Sequence, residues 1–393
     1  MSSKPKKALL VGSSFSAAPL FFALKKRGLN VSVCGNIPSD PCHQYADESY
    51  FIDYSKTSEL MRTVDEGDFD YLVPSCNDYA YMSCAAVAEK HGFPGYDSVD
   101  VANIIHTKGQ FREAAKDCAL PSPRFKMQMA GEPLDSDNLR MPLLVKPIDA
   151  FSGRGMTKIE RRENLPEAIR HARQASRSGA VVLEEFIDGT LHSHSAYIQG
   201  QEIVVDFFVD EFCTIYPYQV NCSNHPSALP AEIRSMVRET ILRFVRRFRL
   251  VDGLLHTQFL VRAGDFWIIE SMRRCPGDLY GRLIELSSGV NYADLSIRAY
   301  LGLKLSSEHR DVDHHFFGRH TVSCNEPIVN FSFSPDFRAK SVDIVSLKNS
   351  GEKLGPAPFD KLAILFVEFQ DRATMFDVTP RMAELVNIRK LEG

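Results

Sequence analysis

Residues 8–11 are an apolar run, Gly12-Ser13-Ser14 is a turn, residues 17–26 have helical spacing and residues 31–34 are apolar again. That succession predicts a β–α–β opening. A strand at 70–74 and a helix at 79–90 extend it, so the first hundred residues read as one small parallel α/β unit. A helix is expected over 104–120, closed by Pro121-Ser122-Pro123, and then a polar connector over 129–138. Next come a strand at 143–146, a glycine-containing loop at 149–155, a helix at 165–176 and an apolar strand at 180–185.

The second half predicts paired strands at 203–209 and 212–220, then a helix at 230–248 that buries Ile233, Val237, Ile241, Phe244, Val245 and Phe248. Strands at 254–261 and 266–270 form a hairpin around Ala263-Gly264-Asp265. The last eighty residues predict short strands, one at 363–368, and a closing helix from Pro380. The expected units are 1–103, 104–188, 189–305 and 306–393.

At 393 residues the chain is long enough for two or three cores, and a net charge of −4 supplies no field for a nucleic acid or an anionic membrane. The basic face at Arg234, Arg238, Arg246, Arg247 and Arg249 is read as solvated. Nine scattered cysteines without a CxxC pair point to reduced thiols and a cytoplasmic protein. No apolar run approaches the roughly 18 residues of a membrane span. Lys4, Lys6 and Lys7 precede an apolar stretch, but Gly12, Ser13, Ser14 and Ser16 interrupt it. A strand, turn and helix are therefore expected there rather than a leader.

Several segments carry candidate chemistry. The Gly12-Ser13-Ser14 turn could offer backbone N–H groups to an anion, or be a bare tight turn. LLVKPIDAFSGRGM places Lys146 at the end of a buried strand and before Ser152-Gly153-Arg154-Gly155. A lysine with a glycine loop suits triphosphate oxygens, although a surface hairpin accounts equally for this segment alone. VVLEEFIDG ends an apolar strand with Glu184 and Glu185, followed by Phe186 and Ile187. It could read an adenine along its edge or be an amphipathic core strand. In the hairpin, a three-residue loop would set Gln258 opposite Glu270, two oxygen ligands suited to magnesium, whereas a two-residue loop would shift the pairing. Arg273, Arg274 and Asp278 follow, either to stabilise a transferring phosphoryl group or as structural ion pairs. His192 with His194, and His314 with His315, are read as polar surface residues rather than metal ligands. Tyr216, Tyr218, Asn221, Asn224 and His225 form either a substrate loop or a connector.

Taken in order, Lys108 in HTKGQFR, Lys146 in LVKP, the SGRGM loop, EEFIDG, HTQFLV and IESMRRCPGD resemble the ATP-grasp superfamily over most of the chain. The resemblance implies an α/β ATP-grasp fold, with an N-terminal Rossmann-like (pre-ATP-grasp) parallel domain and a small C-terminal α+β segment. It implies ATP and Mg²⁺ as cofactors. Lys108 and Lys146 would hold phosphates, Ser152, Gly153, Arg154 and Gly155 would close over them, and Glu184, Glu185, Phe186 and Ile187 would form the adenine hinge. Glu270 would ligate the metal and Arg274 would steady an acyl phosphate, with Arg273 beside it. The motifs look most like those of carboxylate–amine ligases for amino acids, with small-molecule partners, no nucleic acid or membrane, and room for a homodimer. The amine would bind between Ser13, Ser14 and Asn77 and the loop around Arg273 and Asp278.

Three positions depart from the family pattern. Gln258 stands for a metal-binding glutamate and Met272 for an asparagine ligand. Leu191, with His192 beside it, stands for the carboxylate near the ribose. A non-catalytic nucleotide-binding scaffold is the alternative these raise, and a bicarbonate-phosphorylating, biotin-carboxylase-like enzyme is another. Lys146→Ala is expected to abolish nucleotide binding with the thermal midpoint nearly unchanged.

Overall fold

The computed structural model describes residues 5–132, 136, 138–149, 153–306, 315–357 and 360–391. β1 (Lys7–Val11), β2 (Asn30–Cys34), β3 (Glu48–Tyr50) and β4 (Tyr71–Pro74) form a parallel sheet in the order β3-β2-β1-β4. Ala8, Leu9, Leu10 and Val11 are all fully buried, as expected of a parallel strand covered by helices on both faces. The 8–34 opening forms as read, with a short 3₁₀ turn, Phe15–Ala17, leading into the helix Ala18–Lys26.

The expected single helix over 104–120 is two helices, Val99–His106 and Lys108–Asp117, broken at Thr107, whose backbone is extended. The break has a structural correlate: His106 turns inward to Asp78, Nδ1 to Oδ1 2.9 Å, and Lys108 begins the second helix.

β5 (Phe125–Gln128), β6 (Leu143–Pro147), β7 (Thr157–Ile159) and β8 (Val181–Glu185) make a small antiparallel sheet in the order β5-β8-β6-β7. The helix Leu165–Ala175 covers it with Leu165, Ala168, Ile169 and Ala172.

A large antiparallel sheet follows. β9 (Thr190–Gln199) and β10 (Glu202–Phe212) pair as a hairpin, and β11 (Cys222–His225) pairs with β10. This replaces the expected 203–209/212–220 pairing: the turn lies at Gly200-Gln201, where both residues have positive φ. β12 (Gly253–Arg262), β13 (Asp265–Met272) and β14 (Phe316–Val322) join the same sheet, together with β16 (Ser341–Ser346) and β17 (Ala363–Phe369). β15 (Phe331–Pro335) pairs with β18 (Val386–Lys390). The C-terminal strands thus continue the sheet begun at residue 190. The closing helix is one turn, Met382–Leu385, running into β18.

The helix Ala231–Phe248 lies under the sheet, burying Ile233, Val237, Ile241, Phe244 and Val245. Its arginines are only partly free: Arg238 pairs with Asp206 at 2.6 Å, and Arg246 pairs with Glu202.

Candidate active site

The β12–β13 turn has two residues, Ala263 and Gly264, with Arg262 opposite Asp265. Both central residues have positive φ, the geometry of a tight hairpin turn. A two-residue loop alone would have misaligned the pair of interest. A bulge corrects it: Phe259 faces Ile268 but Gln258 faces Glu270, leaving Ile269 as the extra residue. The expected juxtaposition of Gln258 and Glu270 is present, through a bulge instead of a longer turn.

These strands form one wall of a cleft of about 970 Å³, at the upper end of the size usual for small-ligand sites. Lys108, Lys146, Gly153, Glu270, Gln258 and Arg274 line it, as do Glu184, Glu185, Phe186 and Ile187. Ser152 lies outside the described residues. Gly153 and Gly155 have φ of 72° and 69°, and a Cβ on Gly155 would lie 2.5 Å from that of Ala175, so the loop's path requires glycine.

Lys146 is buried, and its Nζ lies 2.5 Å from Glu184 Oε2. Glu184 is also buried and accepts from Arg112 Nε at 2.7 Å. Arg112 spends its other donors on the carbonyls of Ile268 and Ile269, linking the small sheet to β13. Burial pushes the Glu184 carboxyl up, but Arg112 and Lys146 outweigh it and hold the pKa at about 2. Within the hinge sequence, then, Glu184 anchors Lys146. Glu185 accepts from the Arg140 backbone N–H at 2.9 Å, and the Phe186 ring lies under Lys158 at 4.2 Å. Burial lowers the Lys108 pKa, against the raising effect of Glu270, while Lys146 lowers it further.

Arg274 Nη2 pairs with Asp78 at 2.5 Å. Burial raises the Asp78 carboxyl, but Arg274 and His106 hold it well below the usual carboxylate range. Asp78 thereby ties the parallel-sheet lobe to the loop after β13.

Two sequence-predicted site residues lie elsewhere. Arg273 is 2% exposed and donates to Asp97 at 2.7 Å and to the carbonyls of Val251 and Leu254 at 2.7 Å each. It is a structural arginine, because burial and these partners keep it from any reactant. His192 is buried, bonded to Asp210 at 2.8 Å and Thr190 at 2.7 Å, and stacked on Phe259. His194 is buried against Asp206 at 2.7 Å. Both were read as surface residues; β9 is a central strand of the sheet, flanked by β10 and β12, so its side chains face packed layers.

Sequence reasoning missed Glu211, His256, Arg319 and Lys361, which also line the cleft. Glu211 accepts from Gln258 Nε2 at 2.5 Å, and burial raises its pKa. His256, opposite Met272, is held neutral: burial first, then the Arg274 charge, lower its pKa to about 3. Alternation along β10, β12 and β14 could have flagged Glu211, His256 and Arg319, had β10 and β14 been placed correctly; Lys361 precedes β17 and carries no such signal.

The cleft suits ATP and a hard cation. Three buried nitrogens of residues on its walls, His256 Nδ1, Arg274 Nε and Arg319 Nε, have no hydrogen-bond partner among the described residues, as expected where a polyanion binds. Glu270, Glu211 and the Gln258 carbonyl are oxygen donors of the type Mg²⁺ takes; Met272 is not.

An ATP-grasp domain family matches residues 139–279. A formate-dependent phosphoribosylglycinamide formyltransferase of Prochlorococcus marinus subsp. pastoris is 26% identical over 309 residues, 77% of each chain. The L-amino acid ligase of Bacillus licheniformis superposes with a TM-score of 0.81 over 100% of both chains at 17% identity. The biotin carboxylase domain of the Hydrogenobacter thermophilus 2-oxoglutarate carboxylase, solved with MgADP and bicarbonate, gives 0.78 over 98% of this chain and 91% of its own, at 17% identity. Domain match, relatives and fold agree with the cleft's two lysines and Glu270–Arg274 strand end: the chain carries an ATP-grasp domain over residues 139–279 and is an enzyme of the ATP-dependent ligase type, with ATP and Mg²⁺ as cofactors.

Proposed function

We propose that the enzyme joins a small carboxylic acid to an amine, forming an amide through an acyl phosphate. The acid's carboxylate oxygen attacks the γ-phosphorus of ATP and ADP leaves. The amine nitrogen then attacks the acyl carbon, phosphate leaves and a proton is lost. The observation that carries this reading is the gathering of Lys108, Lys146, Glu270 and Arg274 on one cleft.

Lys108 and Lys146 hold the phosphates, Lys146 being oriented by Glu184. Residues 153–155 close over them, and the backbone of 185–187 receives the adenine. Glu270, Gln258 and Glu211 would hold Mg²⁺, which neutralises phosphate charge and aligns the triphosphate. Arg274, fixed by Asp78, faces the developing charge on the acyl phosphate. The site works by positioning and by fixed charge rather than through a covalent enzyme intermediate.

An amino acid as the acid is favoured by the fold neighbour named an L-amino acid ligase, and formate by the relative named a formate-dependent formyltransferase. The deciding assay follows ADP release from Mg-ATP across amino acids and formate, with hydroxylamine to trap the acyl phosphate as a hydroxamate. Acid-dependent ADP and hydroxamate are expected. ATP binding with no ADP from any acid would refute the reading in favour of a nucleotide-binding scaffold.

A further inference from the structure

The two walls of the cleft differ in charge. The wall built from the Lys108–Asp117 helix and β6 to β14 carries Lys108, Lys146, Arg274 and Arg319. The wall formed by the parallel-sheet lobe presents Ser13, Ser16, Asn36, Asp40, Tyr54 and Asn77, and among its described lining residues there is no lysine or arginine. Its charged groups are Asp78, committed to Arg274 and His106, and Asp40.

Asp40 is differently placed. Among the described residues, the hydrogen bond its carboxylate accepts is from the Ser13 hydroxyl, at 2.7 Å, and no ion pair neutralises it. Nearby His43 has Nδ1 3.0 Å from the Ser49 hydroxyl, and burial lowers its pKa against the raising effect of Asp40. The bond to Ser13 lays a carboxylate against the Gly12-Ser13-Ser14 turn, which from sequence could be either an anion-binding turn or a bare tight turn. A phosphomonoester with a charge of about −1.5 to −2 would be repelled there. The cations contributed by the C-terminal region are partly engaged as well: Lys361 pairs with the Asp278 carboxylate, and the two Arg319 Nη atoms donate to the Asp278 carbonyl at 2.9 Å and to Ser223 at 2.8 Å, which leaves its Nε for the triphosphate side of the cleft.

We propose that the recess bounded by Ser13, Asp40 and Tyr54 binds the ammonium of an unphosphorylated amine, with Asp40 as counter-ion and Ser13 fixing the carboxylate's orientation. The assignment rests on the ligase reading and narrows it. The acceptor is a cationic amine, in contrast to the phosphoribosyl compound in the name of the Prochlorococcus relative. An ammonium there gains a charge-assisted hydrogen bond.

The test uses matched amines, ethanolamine against O-phosphoethanolamine and serine against O-phosphoserine, with whichever acid gives the hydroxamate. Amide formation is expected with the unphosphorylated member of each pair. Asp40→Asn is expected to raise the amine KM at least tenfold, with ATP affinity and hydroxamate yield unchanged. Asp40→Lys should invert the preference within a pair. A wild-type preference for the phosphorylated amines, or an unchanged amine KM in Asp40→Asn, overturns the assignment while the hydroxamate leaves the ligase reading standing. Should no acid yield hydroxamate, calorimetric titration of ethanolamine into the wild type and Asp40→Asn, both with Mg-ATP, decides the recess directly. Heat lost in the variant supports the proposal, and equal or absent heat in both refutes it.

Discussion

Arg112→Met tests the buried linkage beneath Lys146 and the proposed phosphate site. The substitution keeps an unbranched chain of similar reach and removes every donor. Glu184 would lose the 2.7 Å bond from Nε, and the carbonyls of Ile268 and Ile269 would lose theirs. A carboxyl held at about 2 against an ordinary 4.5 contributes about 3 kcal/mol at neutral pH. Arg112 supplies the larger of the two attractions, so we assign it about 2 kcal/mol of this, and each stranded carbonyl adds about 1 kcal/mol. The sum, about 4 kcal/mol, falls in the range for breaking a buried ion pair from one side. Because the folded pKa is depressed, the contribution is complete above about pH 4.5 and is lost as pH falls through about 2. Urea unfolding followed through Trp267, the single tryptophan, which sits on β13 beside Ile268, reads the relevant region. A double-mutant cycle with Glu184→Gln should give a coupling of about 2 kcal/mol, and Arg112→Met should unfold at a higher pH than the wild type on acidification. Additive single mutants, within about 0.5 kcal/mol, would refute the linkage.

Lys146→Met should weaken ATP binding at least tenfold and also lower stability by about 1–3 kcal/mol, since it leaves buried Glu184 with Arg112 alone; calorimetry and urea unfolding on one sample measure both. The expectation from sequence that the thermal midpoint would stay put therefore gives way to a coupled loss. Glu211→Gln should raise the Mg²⁺ concentration needed for half-maximal ADP release at least fivefold without altering binding of metal-free ATP. An unchanged Mg²⁺ requirement would remove Glu211 from the metal site.

The local pattern determined the elements that depend on neighbours in sequence. The β–α–β opening, the helix ending at Phe248 and the order of Lys108, Lys146, Glu270 and Arg274 were legible, because hydrophobic period and turn residues act over a few positions. Where elements meet, the sequence was ambiguous. His192 and Arg273 carry the chemistry of site residues, yet β9 lies in the middle of a sheet and Arg273 meets Asp97, 176 positions away. Glu184 read as a hinge residue until Arg112 and Lys146 enclosed it. Gln258 reached Glu270 only through a bulge that no turn rule anticipates. Asp40, Glu211, Arg319 and Lys361 lie in four separate stretches, and only folding brings them to one cleft. The sequence by itself determined the fold class and the order of the charged residues proposed to handle ATP. The tertiary structure decided which charges are spent inside the protein and which still face the cleft, because burial and pairing depend on partners that local sequence does not contain.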